Sequence, residues 1–367
     1  MIDIFKESDE EDSRALKSKF FDKLMDENEL KPFVDVVKDK KIGKDLELCF
    51  RGNQEPNQAV TIYYKNHQMF KIYDTGKISF NYNHARYCKP EVELEYREKL
   101  IALGFNVGDK FEKIGIGAKE GNPQDREFAI SEVTRTLQGK EILKKEEITK
   151  LIKEVLKPMF ESFFNKDENY DYFKGKVKEN KGELAEKEDQ QELYTLMNKT
   201  VGGYYFYDME ISKKHSSKTE LENDDANNKA DMMAVEFDDK GRPINIVFVE
   251  VKTKKAAYYG KSGLDVHIEK TKQSSSEYIE ARKIEAYKII HQYHKLGLRT
   301  VEDINKIDYD TMTKMGVQLL VVLSREAKDY WSEYEREYIE KYDRECPYFF
   351  EKCTGKYGKY ELYKVKE

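Results

Sequence analysis

The segment Asn245–Lys252 reads NIVFVEVK and is the most restrictive feature of the chain. Its apolar residues occupy consecutive positions, so a strand formed here would bury both of its faces, as strands in the interior of a helix-covered sheet do. Glu250 and Lys252 interrupt the apolar run, and residues two apart in a strand project from the same face. Buried charges destabilise a fold unless they are paired or bind an ion. Glu250 and Lys252 therefore indicate either a functional site or an ion pair at the end of this strand.

Alternating helical and apolar patterns surround this strand. In order, they predict a helix at 183–199, strands at 203–211, 229–238 and 244–255, a long helix at about 270–296 and a buried strand at 317–324. Such an order is typical of an α/β layer arrangement, here a mixed sheet flanked by helices. The polar, glycine-containing segment 166–182 predicts a domain boundary. We therefore expect an N-terminal domain at 1–170 and a second domain at 183–367.

The N-terminal half has a different pattern. Short aromatic runs between residues 45 and 85, with a turn at Asp74–Gly76, predict a small antiparallel sheet. Helices are expected at about 91–104 and 141–165, the second interrupted by Pro158. An α+β domain is therefore expected, which would recognise a substrate, bind a protein partner or mediate homo-oligomer formation.

Composition limits the classes of function. The net charge of the 367 residues is −6, so a uniformly basic nucleic-acid binder is excluded and any such contact must be local. No run of 18 apolar residues predicts a membrane span. Four cysteines and an acidic first segment without a secretion pattern favour a cytoplasmic protein.

A second carboxylate is expected beside Glu250. The turn at 238–243, DDKGRP, joins the second and third predicted strands of this half, so they should pair as antiparallel neighbours. Asp231, at the start of one, would then lie beside Glu250, near the end of the other. Two carboxylates and a lysine are a set suited to Mg²⁺, or Mn²⁺. The alternative is a salt bridge at the rim of the sheet.

This pattern, Asp231 followed by Glu250-Val251-Lys252 with helices on either side, resembles the PD-(D/E)xK nuclease superfamily, including its RecB-type members. Ala230 stands where the motif's proline would be. The resemblance implies a restriction-endonuclease-like fold at about 183–324, metal binding by Asp231, Glu250 and the Val251 carbonyl, and a catalytic role for Lys252.

Two further positions follow from the same resemblance. Members of the superfamily often carry a glutamate on the helix before the first strand. In this chain that residue would be Glu192, with Glu188, one helical turn earlier, as the alternative. The glutamate would bind a second metal ion or tune the first. A glutamine with a tyrosine after the third strand would be Gln273 with Tyr278, spaced five apart rather than four. The alternatives are a solvated helix face for Glu192 and an ordinary polar residue at a helix start for Gln273.

Local charge favours a nucleic-acid partner. From Lys240 to Arg299, thirteen Lys and Arg residues face six Asp and Glu. Lys254, Lys255 and Lys261 follow the motif directly, and a phosphate backbone is a natural partner for such a patch. With Gln273 they form the expected nucleic-acid contact, the alternative being a solvated basic loop.

The predicted function is thus a metal-dependent nuclease that acts on nucleic acid, with DNA favoured, and the resemblance makes restriction or phage defence its setting. The alternatives are a nucleic-acid-binding or scaffold protein on an inactive nuclease fold, or a sensor whose N-terminal sheet binds a ligand. Asp231→Asn or Glu250→Gln should abolish cleavage, because the charge that holds the metal is lost. Thermal stability should hold or rise, because repulsion between the neighbouring carboxylates is relieved.

Overall fold

The computed structural model describes residues 13–43, 46–52, 58–64, 67–81, 90–107, 111–113, 126–128, 132–136, 143–164, 189–190, 193–194, 203–209, 230–254, 258–259, 263–324, 329–331, 333, 348–351 and 360–363. The chain divides into two compact units. One is formed by residues 16–179. The other contains the described residues from 180 onward together with residues 13–15, which the sequence analysis assigns to the N-terminal domain.

The unit 16–179 is built on an antiparallel sheet, as predicted. Its strands are β1 (Leu46–Arg51), β2 (Ala59–Tyr64), β3 (His67–Tyr73), β4 (Lys77–Asn81) and β7 (Glu132–Thr136), in the spatial order β1-β2-β3-β4-β7. Gly76 has a φ of 80° in the turn between β3 and β4, a conformation that favours glycine. Two short strands, β5 (Phe111–Lys113) and β6 (Arg126–Phe128), pair separately.

The helices of this unit are α1 (Ser18–Met25), α2 (Lys31–Lys38), α3 (Pro90–Ala102), α4 (Lys145–Leu151) and α5 (Lys157–Phe164). The interruption predicted at Pro158 takes the form of a π-helical turn at Ile152–Leu156, between α4 and α5. Proline has no N–H to donate and its ring crowds the carbonyl four residues earlier. The wider turn before Pro158 accommodates both effects within one continuous helical segment.

The second unit contains a mixed sheet, also as predicted. Its strands are β8 (Tyr204–Met209), β9 (Met232–Phe237), β10 (Pro243–Lys252), β11 (Gly316–Leu323), β12 (Tyr348–Glu351) and β13 (Tyr360–Tyr363), in the order β13-β12-β11-β10-β9-β8. β10 and β12 run parallel to β11, and the remaining pairs are antiparallel. Every residue of β10 from Ile246 to Lys252 is buried, so this strand lies in the interior of the sheet.

Two helices connect β10 to its parallel neighbour β11. They are α6 (Leu264–Lys272) and α7 (Ser276–Leu296), and a short helix α8 (Tyr309–Thr313) precedes β11. The long helix predicted at about 270–296 is confirmed from Ser276 onward, but its predicted start is wrong, because the chain leaves helical geometry after Lys272 and begins α7 with a new cap at Ser275. Of the helix predicted at 183–199, only Asp189, Gln190, Leu193 and Tyr194 fall within the described residues, and they are helical.

Among the described residues, no helix has the length and apolar character needed to cross a membrane. The longest, α7, carries charged residues throughout its length. Its buried positions instead form one side of the core of the second unit.

Candidate active site

The pairing of β9 with β10 brings Asp231 to the end of β10. Met232 pairs with Val249 in the antiparallel ladder, so Asp231, one residue before β9, falls beside Glu250. The Val251 backbone N–H donates a hydrogen bond to Asp231 Oδ2 at 2.7 Å. Asp231 is half-buried. The sequence-predicted pair of carboxylates is therefore brought together by strand register.

Glu250 is the most enclosed member of the group, with only 1% of its surface exposed. Its Oε2 accepts a hydrogen bond from Lys252 Nζ at 3.0 Å. Burial by itself would raise the pKa of Glu250, but contacts with Lys252 and His267 outweigh that effect, and the pKa lies below its usual value. The fold therefore stabilises Glu250 in its charged form.

The other oxygen of Glu250 is in a different situation. Glu250 Oε1 lies 2.9 Å from His267 Nδ1, yet neither atom has a hydrogen-bond partner among the described residues, because their approach lacks hydrogen-bond geometry. Both atoms are buried. A buried polar atom without a partner is uncommon in a native protein and indicates a missing ligand, ion or water.

His267 is a site residue that the motif did not identify. It lies in the first half of α6, after the lysine-rich segment that follows Lys252. His267 is close to the motif in sequence, but sequence separation alone does not determine whether it lies near Glu250 in the fold. Packing of α6 against β10 brings the imidazole to Glu250.

A third carboxylate reaches the same edge of the sheet through Ser324. Ser324 Oγ donates to Asp189 Oδ2, and the Ser324 backbone N–H donates to the Lys252 carbonyl at 3.1 Å. Asp189 and Ser324 are both fully buried. Asp189 directly follows Glu188, within the polar segment 186–192 (EKEDQQE). This segment therefore supplies one buried carboxylate, Asp189, near Lys252. Glu188 and Glu192, the two candidates from sequence, lie outside the described residues.

The proposed nucleic-acid contacts are only partly described. Lys254 is exposed just beyond β10, whereas Lys255 and Lys261 lie outside the described residues. Gln273 is exposed and ends α6, with its backbone N–H donating to the Glu269 carbonyl, rather than starting a helix as the resemblance implies. Tyr278 begins α7 and stacks on Phe248, with ring centroids 6.1 Å apart. Gln273 is thus exposed at a helix end, whereas Glu250 and Lys252 are buried at the end of β10.

The fit of a metal ion can be judged from the donor atoms. Within the described part of the chain, no three His, Cys, Asp or Glu side chains form a preassembled metal site. Mg²⁺, however, commonly takes one or two carboxylates and completes its shell with water and substrate phosphate. Asp231 and Glu250, with the Val251 carbonyl between Glu250 and Lys252, can supply that smaller set. The buried Glu250 Oε1 without a hydrogen bond fits such an ion.

Comparisons with known proteins identified no relative of this chain. No protein-family model, curated protein or solved structure matches the chain. The functional interpretation therefore rests on the residues and contacts of the site itself.

Proposed function

We propose that the chain is a metal-dependent nuclease that hydrolyses phosphodiester bonds, with DNA as its substrate. One observation carries the proposal: a buried carboxylate, Glu250, keeps one oxygen without a hydrogen bond beside Lys252 and Asp231. These side chains meet at the carboxyl end of an interior strand, where ligands bind in many open α/β sheets. The mixed sheet and the helices between β10 and β11 support a restriction-endonuclease-like arrangement for this unit.

Each residue of the group has a distinct role in this proposal. Asp231 and Glu250, with the Val251 carbonyl, would hold Mg²⁺ or Mn²⁺. A bound divalent ion polarises the phosphoryl oxygen and acidifies a water molecule. Lys252, whose ammonium group is buried against Glu250, would orient the attacking water and hydrogen-bond a phosphate oxygen. Glu192, in the polar run before β8, would bind a second metal or tune the first.

The substrate follows from charge near the site. The segment from Lys240 to Arg299 has a surplus of Lys and Arg in an otherwise acidic chain. Lys254 extends this charge into solvent directly after β10. Lys252, Arg282, Lys283 and Lys288 of this segment are buried, so the proposed phosphate contact rests on its exposed cations, and binding should weaken as salt rises. Lys255, Lys261 and Gln273 are proposed to complete the contact.

A cleavage assay tests the proposal. We expect the full chain to cut linear, circular or single-stranded DNA with Mg²⁺ or Mn²⁺, and to lose activity with a chelator. Asp231→Asn and Glu250→Gln should each reduce cleavage by at least about 100-fold, because the charges that hold the ion are lost. Lys252→Ala should also inactivate the protein but retain metal binding, since the lysine acts on water and phosphate.

The matched control is Glu236→Gln. Glu236 is a buried carboxylate on the same strand pair, but it accepts a hydrogen bond from Asn245 at the opposite end of the β9–β10 ladder. Its replacement should leave cleavage intact. If the Asp231 and Glu250 variants cut as well as the unchanged protein, the nuclease assignment is wrong at this site. Binding of DNA without cleavage under any metal condition would favour the inactive scaffold instead.

A further inference from the structure

The contact between Glu250 and His267 has an unusual geometry for two buried polar groups. Glu250 is almost completely buried and the His267 side chain is 17% exposed. Their facing atoms, Oε1 and Nδ1, are 2.9 Å apart and form no hydrogen bond with each other or with any other described residue. An ordinary His–Glu pair would direct the Nδ1–H bond at the carboxylate oxygen. The two groups attract one another electrostatically, but the poor hydrogen-bond geometry leaves both facing atoms able to bind a third partner.

The separation agrees with that of two neighbouring ligands on one metal ion. Ligands at right angles, each with a bond of about 2.1 Å, lie about 3.0 Å apart. Each ligand then directs its lone pair at the ion and not at the other ligand, so no hydrogen bond forms between them. Oε1 and Nδ1 agree with this arrangement in their 2.9 Å separation and in the absence of a hydrogen bond between them. The remaining oxygen, Oε2, is already held by Lys252, which leaves Oε1 available to the ion.

We propose that His267 is a metal ligand together with Glu250, and that the site therefore selects a divalent transition-metal ion such as Mn²⁺ over Mg²⁺. Mg²⁺ is bound almost entirely through oxygen atoms, whereas transition-metal ions also accept imidazole nitrogen. This inference rests on the proposed function, because it concerns the ion of the same site. Asp231, Glu250 and the Val251 carbonyl would bind the ion through oxygen, and His267 would add a nitrogen ligand.

The direct test is spectroscopic and needs no variant. Mn²⁺ added to the full chain should give an electron spin-echo signal with modulation from a directly bound imidazole ¹⁴N. His267→Ala should remove that modulation and weaken Mn²⁺ binding by at least about tenfold in a calorimetric titration. Mg²⁺ affinity should change less than Mn²⁺ affinity. A melting curve for the variant establishes that it is folded under the conditions of the titration.

The matched control is His294→Ala. His294 lies in the last turn of α7 and also has a buried Nδ1 without a hydrogen-bond partner among the described residues, so it tests whether any such imidazole gives the signal. Its replacement should change neither the modulation nor Mn²⁺ affinity. Mn²⁺ binding without ¹⁴N modulation, or with unchanged affinity in His267→Ala, would overturn this inference while leaving the nuclease proposal standing. Absence of both metal binding and DNA cleavage in the unchanged protein would instead remove the proposed function, and this inference with it.

Discussion

At the scale of single residues, strand periodicity predicted part of the candidate site and missed the rest. The shared face of Glu250 and Lys252 follows from the alternation of side chains in a strand, and the approach of Asp231 follows from counting across the turn at 238–243. His267 and Asp189 were missed because they reach the site through tertiary packing. No local pattern specifies such contacts, since they depend on how a helix docks onto the sheet.

The contacts of Glu250 also reverse one expectation about stability. Repulsion between carboxylates would let Glu250→Gln keep or raise stability, but Glu250 is in fact paired with a buried lysine, and its lowered pKa shows net attraction. We expect Glu250→Gln to lower the free energy of unfolding by about 3 kcal/mol, because the buried Lys252 ammonium loses the carboxylate charge that pairs with it. Urea unfolding followed by circular dichroism measures this change.

Asp231→Asn provides the comparison. Asp231 is half-buried, and an amide oxygen can still accept the hydrogen bond from the Val251 N–H, so the loss should be below about 1 kcal/mol. A Glu250→Gln variant as stable as the unchanged protein would mean that the Glu250–Lys252 pair contributes nothing to folding. The carboxylate would then be retained for function and not for stability.

At the scale of secondary structure, the strands were predicted more successfully than the helices. The apolar runs of β8, β9, β10 and β11 are short and bounded by polar segments, so their pattern has few alternative interpretations. The break between α6 and α7 was missed because helix-favouring residues continue on both sides of Ser274–Ser276. The signal was present, however, since a serine before a helical pattern is a common N-cap.

That cap gives a prediction at the same scale. Ser275 Oγ accepts a hydrogen bond from the Tyr278 backbone N–H at 3.2 Å and so satisfies one of the free donors of α7. Ser275→Ala should lower the free energy of unfolding by about 1 kcal/mol. Ser276→Ala, at an exposed position one residue later, should change stability by less than about 0.5 kcal/mol. Equal effects in thermal melts would show that the cap is unimportant.

At the scale of the whole molecule, the second unit is discontinuous in sequence. The Arg14 backbone N–H donates to Glu285 Oε2 at 2.5 Å, and Arg14 Nε lies 3.4 Å from Asp208 Oδ2. Arg282 Nη1 donates to Glu285 Oε1 at 2.9 Å, and all four of these residues are buried. Burial raises the pKa of Glu285 despite the nearby Arg282. This grouping joins residues 271 positions apart, so no local sequence pattern predicts it.

Removal of Arg14 should therefore weaken a distant part of the chain. In Arg14→Ala, the buried Asp208 carboxylate loses the guanidinium that lies beside it, and we expect stability to fall by about 3 kcal/mol. Hydrogen exchange should become faster in β8 and α7, which carry those carboxylates. Arg242→Ala removes an exposed ion pair with Asp238 and should leave stability almost unchanged. Unchanged exchange in β8 and α7 of Arg14→Ala would show that the Arg14 side chain contributes no stability to this unit.

The discontinuity of this unit has a consequence during protein synthesis. Glu285 is added 271 residues after Arg14, a delay on the order of tens of seconds at ordinary elongation rates. Residues 16–179 are synthesised in that interval and can fold before Glu285 exists. The second unit can therefore be completed only after Glu285 has been made, so a chain that stops before this residue would lack the carboxylate that the Arg14 backbone N–H contacts.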